Sequence, residues 1–311
     1  MTEPTRNPRP STALRQALDW GKLAPLRLRA KIVADGVYAG GHRSRRRGAG
    51  IEFGGQRHYV PGDDLRFIDR HALLRHGTLL VRQFETETDR TLCLLLDASA
   101  SMSYRGDDAP GAKYAYAALI AAALTKIAVA AGDRVSLDWF GGERTVELAT
   151  AGGREAFERV VGALETAQPS ADLRSDLPAL ERAVARVERR AVRGASVVVL
   201  SDLLDLPEGA ELALSSLGAR GKTLAVARVL DPTELSFPFS GPLHLRALEG
   251  DTRVETDAAA ARPQYLAALA AQTQTWSERL LDRGGSLVPM STADDPVKAV
   301  RSVLDALGGL G

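Results

Sequence analysis

The sequence predicts an α/β fold: a doubly wound, mostly parallel sheet with helices on both faces, preceded by an N-terminal arm or small subdomain. Three observations predict it. Short, fully apolar runs of strand length recur as "TLCLLL", "ASVVVLSD" and "KTLAVARVL", and strands covered on both faces read this way. Longer stretches with helical spacing separate them. The first two of these runs lead into Asp97 and Asp202, and open α/β sheets bind ligands at the carboxyl ends of their strands.

In chain order, residues 1–35 read as a lead-in, helical or partly disordered, broken by Pro4, Pro8, Pro10 and Pro25. Residues 36–90 are glycine-rich, charged and irregular, with strand-like pieces such as "LLVRQF", and form the arm. The α/β pattern occupies residues 91–311. "TLCLLL" is its first strand, and an alanine-rich helix follows within residues 112–132. "RVSLDWF" and "RTVELAT" alternate on either side of "GGE", which predicts a hairpin. Helical patterns cover about 153–167 and 176–191, then "ASVVVLSD" gives a strand at 195–202. A helix near 208–219, the strand "KTLAVARVL", a helix near 262–283, the strand "SLVPM" and a helix after "TADDP" complete the pattern.

Composition narrows the chemistry. The 311 residues are 45% hydrophobic but only 5% aromatic, so the core must be built from Leu, Val and Ala. Cys93 is the one cysteine and lies inside an apolar strand. An intrachain disulfide and a cysteine-based metal site are therefore excluded, and a reducing cytoplasm is the expected compartment. The N-terminal residues show no apolar signal-peptide core. The most apolar long stretch, "AKYAYAALIAAALTKIAVAAG", carries Lys113 and Lys126 and suits a buried helix better than a membrane span. Charge is uneven: residues 1–47 hold eleven Lys/Arg against three Asp/Glu, with the densest cluster at "HRSRRR". A solvated or intramolecular face and an acidic protein partner are both open for it. Nucleic acid is disfavoured, because no aromatic side chains interleave with the arginines.

"LLLDASASMS" carries the candidate site. Asp97, Ser99 and Ser101 follow D-x-S-x-S, a spacing that aims oxygens to one side of an extended loop. These are hard ligands that suit Mg²⁺, which takes few carboxylates and keeps several waters. Asp202 adds a carboxylate from a second strand end. "SADLRSDLPAL" adds Ser170, Asp172, Ser175 and Asp176 just before a helix, where Ser175 or Asp176 is equally a natural N-cap. Turn and capping chemistry is the competing explanation for the serines.

With these residues in place, the segment resembles a von Willebrand factor A (vWA) domain, a Rossmann-like fold with a metal-ion-dependent adhesion site. The resemblance implies a metal set of Asp97, Ser99, Ser101, Ser175 and Asp202, with Ser175 where the family usually has Thr. A narrower resemblance covers "RGAGIEFGGQRHYVPGDDLRFIDRHALLRHGTLLVRQFETE", residues 47–87. Its E-F, R-x-Y-x-P-G-D-D-x-R-x-I-D and V-R-x-F-E-x-E elements are similar to those of the bacterial DUF58 family, although Arg70 stands where members usually carry Trp. The chain resembles the shorter members, without N-terminal membrane helices. In that block "VPGDD" is turn chemistry. Arg57, Tyr59, Asp63, Asp64, Arg66 and Asp69 are expected to pin the arm to the α/β domain, to bind a partner, or both.

The resemblance implies a binding module rather than an enzyme. Mg²⁺ (or Mn²⁺) would offer an open position to a Glu or Asp of an acidic protein ligand; DUF58 proteins are commonly encoded beside MoxR-type AAA+ ATPases, so the resemblance implies such an ATPase as partner in a chaperone-like assembly or activation system. The chain has no Walker A pattern of its own. Two alternatives stay open. One is a metal-free interaction scaffold. The other is a Mg²⁺-dependent hydrolase or phosphotransferase, against which stand Ser99 in the place of a second aspartate and the absence of a G-x-S-x-G elbow. His42, His58, His71 and His76 cluster in the arm, away from the strand tips.

Overall fold

The computed structural model describes residues 26–40, 52–59, 68–69, 72, 77, 79–85, 90–174, 176–248 and 253–308. A six-stranded sheet organises the chain. Its strands are β3 (Thr91–Asp97), β4 (Arg134–Phe140), β5 (Leu148–Ala151), β6 (Ser196–Ser201), β7 (Thr223–Leu230) and β10 (Gly285–Ser291), in the spatial order β10-β7-β6-β3-β4-β5. All neighbours are parallel except β4 and β5, which form the expected antiparallel pair. Two further two-stranded antiparallel sheets join β1 (Glu52–His58) with β2 (Leu80–Glu85), and β8 (Pro242–Arg246) with β9 (Arg253–Asp257).

The apolar runs are explained by the layers. Every residue of β3 is buried. Because successive side chains alternate faces, Leu92, Leu94 and Leu96 enter one core, while Cys93 and Leu95 enter the other. The first core is closed by α1 (Leu26–Gly40), α2 (Lys113–Ala130), α3 (Gly153–Thr166) and α8 (Pro296–Ala306). The second is closed by α4 (Leu177–Arg190), α5 (Ala210–Ser215) and α7 (Ala258–Leu281). The remaining helix, α6 (Pro232–Ser236), follows β7. Helix α2 is apolar all round, which marks a helix enclosed on every side, and almost all of it is buried. By length and composition alone it is apolar enough to cross a membrane; in the fold it is the central core helix.

Three features were not visible in the hydrophobic pattern. Helix α1 runs through residue 35, and Leu26, Ala30, Val33, Ala34 and Val37 pack into the core beside α2 and α8. The Arg301 guanidinium donates to the Gly36 carbonyl and fastens it there. The β8–β9 ladder is mostly exposed, so it carries no strong apolar alternation. Helix α7 begins at Ala258 because Asp257 accepts from the amides of Ala259 and Ala260, a cap that precedes any apolar spacing.

Candidate functional site at the strand tips

Chain direction creates the site. From β3 the chain moves to β4 on one side of the sheet, and from β6 it moves to β7 on the other. Loops leaving the carboxyl ends of β3 and β6 therefore diverge, which is the switch point where open α/β sheets bind ligands. Asp97 is the last residue of β3, and Asp202 directly follows β6.

Both acids are wholly buried. Asp97 Oδ1 accepts from the Ser99 amide at 2.8 Å, and Oδ2 accepts from the Ser201 hydroxyl at 2.6 Å. Ser99 is extended, and Ala100–Ser103 then form one 3₁₀ turn. That turn brings Ser99 Oγ and Ser101 Oγ to 3.0 Å, both buried. The convergence anticipated from D-x-S-x-S is present, but a tight turn produces it rather than alternation along an extended loop. Ser103 donates back to the Ala100 carbonyl and is exposed, so it closes the turn instead of facing the site.

Neighbouring loops support the turn through the backbone. Ala98 donates to Phe140, Ser170 to Ala98, Ala100 to Ala171 and Gly142 to Ser170, at 2.8–3.1 Å. Gly142 has φ +81°, and a Cβ there would stand 2.5 Å from Ala98 Cβ. These bonds set the 170–174 segment beside the serine turn. Ser175 lies outside the described residues. Asp172 pairs with Arg174 at the surface, and Asp176 accepts from the Ala179 amide as the cap of α4.

Two buried cations complete the tip, and the D-x-S-x-S pattern did not announce them. Lys113 opens α2, and its Nζ stands 2.7 Å from Asp202 Oδ2 and 2.6 Å from Glu234 Oε1. The other Asp202 oxygen accepts from the Leu204 amide at 2.8 Å. Arg228, in the middle of β7, donates to the Asp202 carbonyl, to Thr273 Oγ1 and to Gln272 Oε1. A lone arginine inside the apolar run "KTLAVARVL" was the available signal, since a charge there must have buried partners. Asp231, also fully buried, accepts from the amides of Gly106 and Thr233 at 2.8 Å and staples the loop that follows the serines.

Electrostatics reflect this crowding. Burial pushes the Asp97 carboxyl up to about 7, and the neighbouring Asp202 charge pushes the same way, against the pull of Ser201 and Ser99. Burial works against the Lys113 charge, but Asp202 and Glu234 outweigh it and hold the ammonium firmly protonated. Burial also raises Glu234, opposed chiefly by Lys113. The tip thus gathers the carboxylates of Asp97, Asp202, Asp231 and Glu234 against the charges of Lys113 and Arg228.

The arm residues are placed only in part. The Tyr59 amide donates to the Leu79 carbonyl, and Asp69 is buried, accepting from the Ala72 amide at 3.1 Å while its own amide donates to Leu80. Arg57 lies in β1 opposite Val81, with its side chain outside what is described. Asp63, Asp64 and Arg66 lie outside the described residues.

The family model described as "Protein of unknown function DUF58" matches residues 55–275. An uncharacterized protein of Mycobacterium tuberculosis is 31% identical over 292 residues, spanning 92% of this chain and 90% of its own. Among solved structures, the conserved hypothetical protein BatB from Bacteroides thetaiotaomicron is similar with a TM-score of 0.45 at 15% identity, over 70% of this chain and 98% of that one. A von Willebrand factor type A chain from Catenulispora acidiphila is similar with a TM-score of 0.36 at 15% identity, over 73% of this chain and 43% of that one.

Proposed function

This chain belongs to the DUF58 family, and from that premise we propose that it is a metal-dependent protein-binding module with a vWA-type site, acting in the cytoplasm as partner or adaptor of a MoxR-type AAA+ ATPase. The observation that carries the reading is the meeting of Asp97 with two buried hydroxyls, Ser99 and Ser101, at the switch point of the sheet. Hydroxyls and a carboxylate are the donors that Mg²⁺ or Mn²⁺ prefers. The buried repulsion between Asp97 and Asp202 is what a divalent ion relieves. The residues therefore fit the group.

Asp97, Ser99 and Ser101 would hold the ion, with Ser175 and Asp202 completing its surroundings. When bound, such an ion supplies an electrophilic centre for a carboxylate of the partner, because a site of mostly neutral ligands leaves it undercharged. The surrounding residues do the positioning. Ser201 and the Ser99 amide fix both Asp97 oxygens, and Arg228 fixes the Asp202 backbone. We read the tip as a binding site rather than a catalytic one. Each Asp97 oxygen accepts one bond that holds the loop and keeps a further lone pair with which to ligate an ion.

A second reading, the metal-free scaffold, is favoured by one observation: Asp202 already holds a cation in Lys113. A binding assay with a purified MoxR-type ATPase separates the two. Under the first reading, association requires Mg²⁺, is abolished by chelator, and is lost in Asp97→Ala while the fold persists by circular dichroism. Association indifferent to metal and to Asp97→Ala leaves only the scaffold.

A further inference from the structure

Lys113 is costly where it sits. Its side chain is 1% exposed, so the ammonium has given up its water and the stem its rotamers. It opens helix α2, where the helix dipole presents its positive end and disfavours a cation. Removing the ammonium alone would leave Asp202 and Glu234 in the interior without their counter-charge, which is destabilising. Its partners are Asp202, which directly follows β6 beside the Asp97 end of β3, and Glu234.

We propose that Lys113 is the internal counter-ion of the site, holding Asp202 when no divalent cation is bound and competing with that cation for the same carboxylate. The lysine then sets how tightly the tip holds metal. This rests on the reading of the tip as a metal site. Glu234 makes the exchange feasible. It offers the ammonium a second partner at 2.6 Å and is itself held in place by accepting from the Asp231 amide at 2.8 Å. Lys113 can give up Asp202 without being left alone in the interior. The Lys113 ammonium also lies 5.7 Å from the centre of the Tyr104 ring, so the exchange is felt by the loop that follows the serines.

The test titrates Mn²⁺ and Mg²⁺ into the full metal-stripped chain by calorimetry, with Mn²⁺ binding followed in parallel by electron paramagnetic resonance. Lys113→Met removes the ammonium. Lys113→Gln removes the charge but keeps an N–H donor for Asp202 and Glu234, and serves if the methionine variant does not fold. Circular dichroism and thermal melting establish which variants are folded. Removing one unit charge 2.7 Å from an Asp202 oxygen is expected to tighten metal binding about tenfold or more. Adding Asp97→Asn to the tightened variant is expected to abolish the gain, which locates it at this tip. If a folded variant binds metal no more tightly than the wild type, Lys113 is a structural pin and the proposal fails while the metal reading stands. If neither the wild type nor a folded lysine variant binds metal, both fail.

Discussion

The Ser201 hydroxyl donates to Asp97 Oδ2 across 2.6 Å, joining the ends of two adjacent strands that the chain visits 104 residues apart. The bond spans the switch point of the sheet. Because the same Ser201 oxygen accepts from the Leu203 amide at 2.9 Å, it also fixes the path of the loop that carries Asp202. Asp97 and Asp202 thereby stand at the ends of adjacent strands, both buried, and the Asp202 charge adds to burial in raising the Asp97 carboxyl.

That tension predicts a trade between function and stability. Asp97→Asn keeps an acceptor for the Ser99 amide and removes a buried charge, at the expense of the acceptor for the Ser201 hydroxyl. It is expected to stabilise the metal-free protein by about 1 kcal/mol at neutral pH, as relief of functional-site strain commonly does, while losing metal binding. Urea unfolding with and without Mg²⁺ measures both effects. A loss of stability in metal-free buffer would show that the Ser201 bond outweighs the repulsion between the carboxylates.

Arg228 holds the Asp202 carbonyl on one side and Thr273 and Gln272 of α7 on the other. Arg228→Leu leaves those acceptors unpaired in the interior and is expected to cost about 3 kcal/mol. The same variant should weaken metal and partner binding, because the backbone of Asp202 loses its anchor. Equilibrium unfolding checks the first effect and titration the second; binding unchanged in a folded variant would detach Arg228 from the site.

Two glycines separate backbone strain from crowding at the tip. Gly142 and Gly194 have nearly equal φ, +81° and +84°, but a Cβ meets Ala98 at 2.5 Å in the first and nothing within 4 Å in the second. Gly194→Ala is expected to cost about 1 kcal/mol from the left-handed conformation alone. Gly142→Ala is expected to cost about 2 kcal/mol more, in line with overpacked positions, and to displace the Ser99–Ser101 turn. Equal losses in the two variants would mean that the Gly142 turn does not press on Ala98.

Cys93 lies in the centre of β3 with no exposed surface, and burial pushes its thiol up. Its alkylation by iodoacetamide is expected to be undetectable in the native protein and to follow global unfolding in urea. Rapid labelling under native conditions would show that β3 opens locally.

The sheet was legible in the sequence because β3, β6 and β7 are buried on both faces, which leaves continuous apolar runs that only a few arrangements produce. Asp97, Ser99, Ser101 and Asp202 were legible because the chemistry of the tip is written in adjacent residues at strand ends. Lys113 was not. It opens an apolar helix, and its partners Asp202 and Glu234 lie 89 and 121 residues further along the chain. No local period encodes such a contact. The β8–β9 ladder escaped for the opposite reason: its residues bury little, so hydrophobic patterning did not distinguish it from a loop.

Calorimetric titration of Mg²⁺ and Mn²⁺ into the metal-stripped chain, with Asp97→Ala alongside, tests the central claim most directly. The account predicts saturable binding of one ion per chain that disappears in Asp97→Ala while its thermal melt still shows a folded protein. Binding that survives Asp97→Ala unchanged would contradict the assignment of the ion to this tip, and no saturable binding in the wild type would contradict the metal site itself.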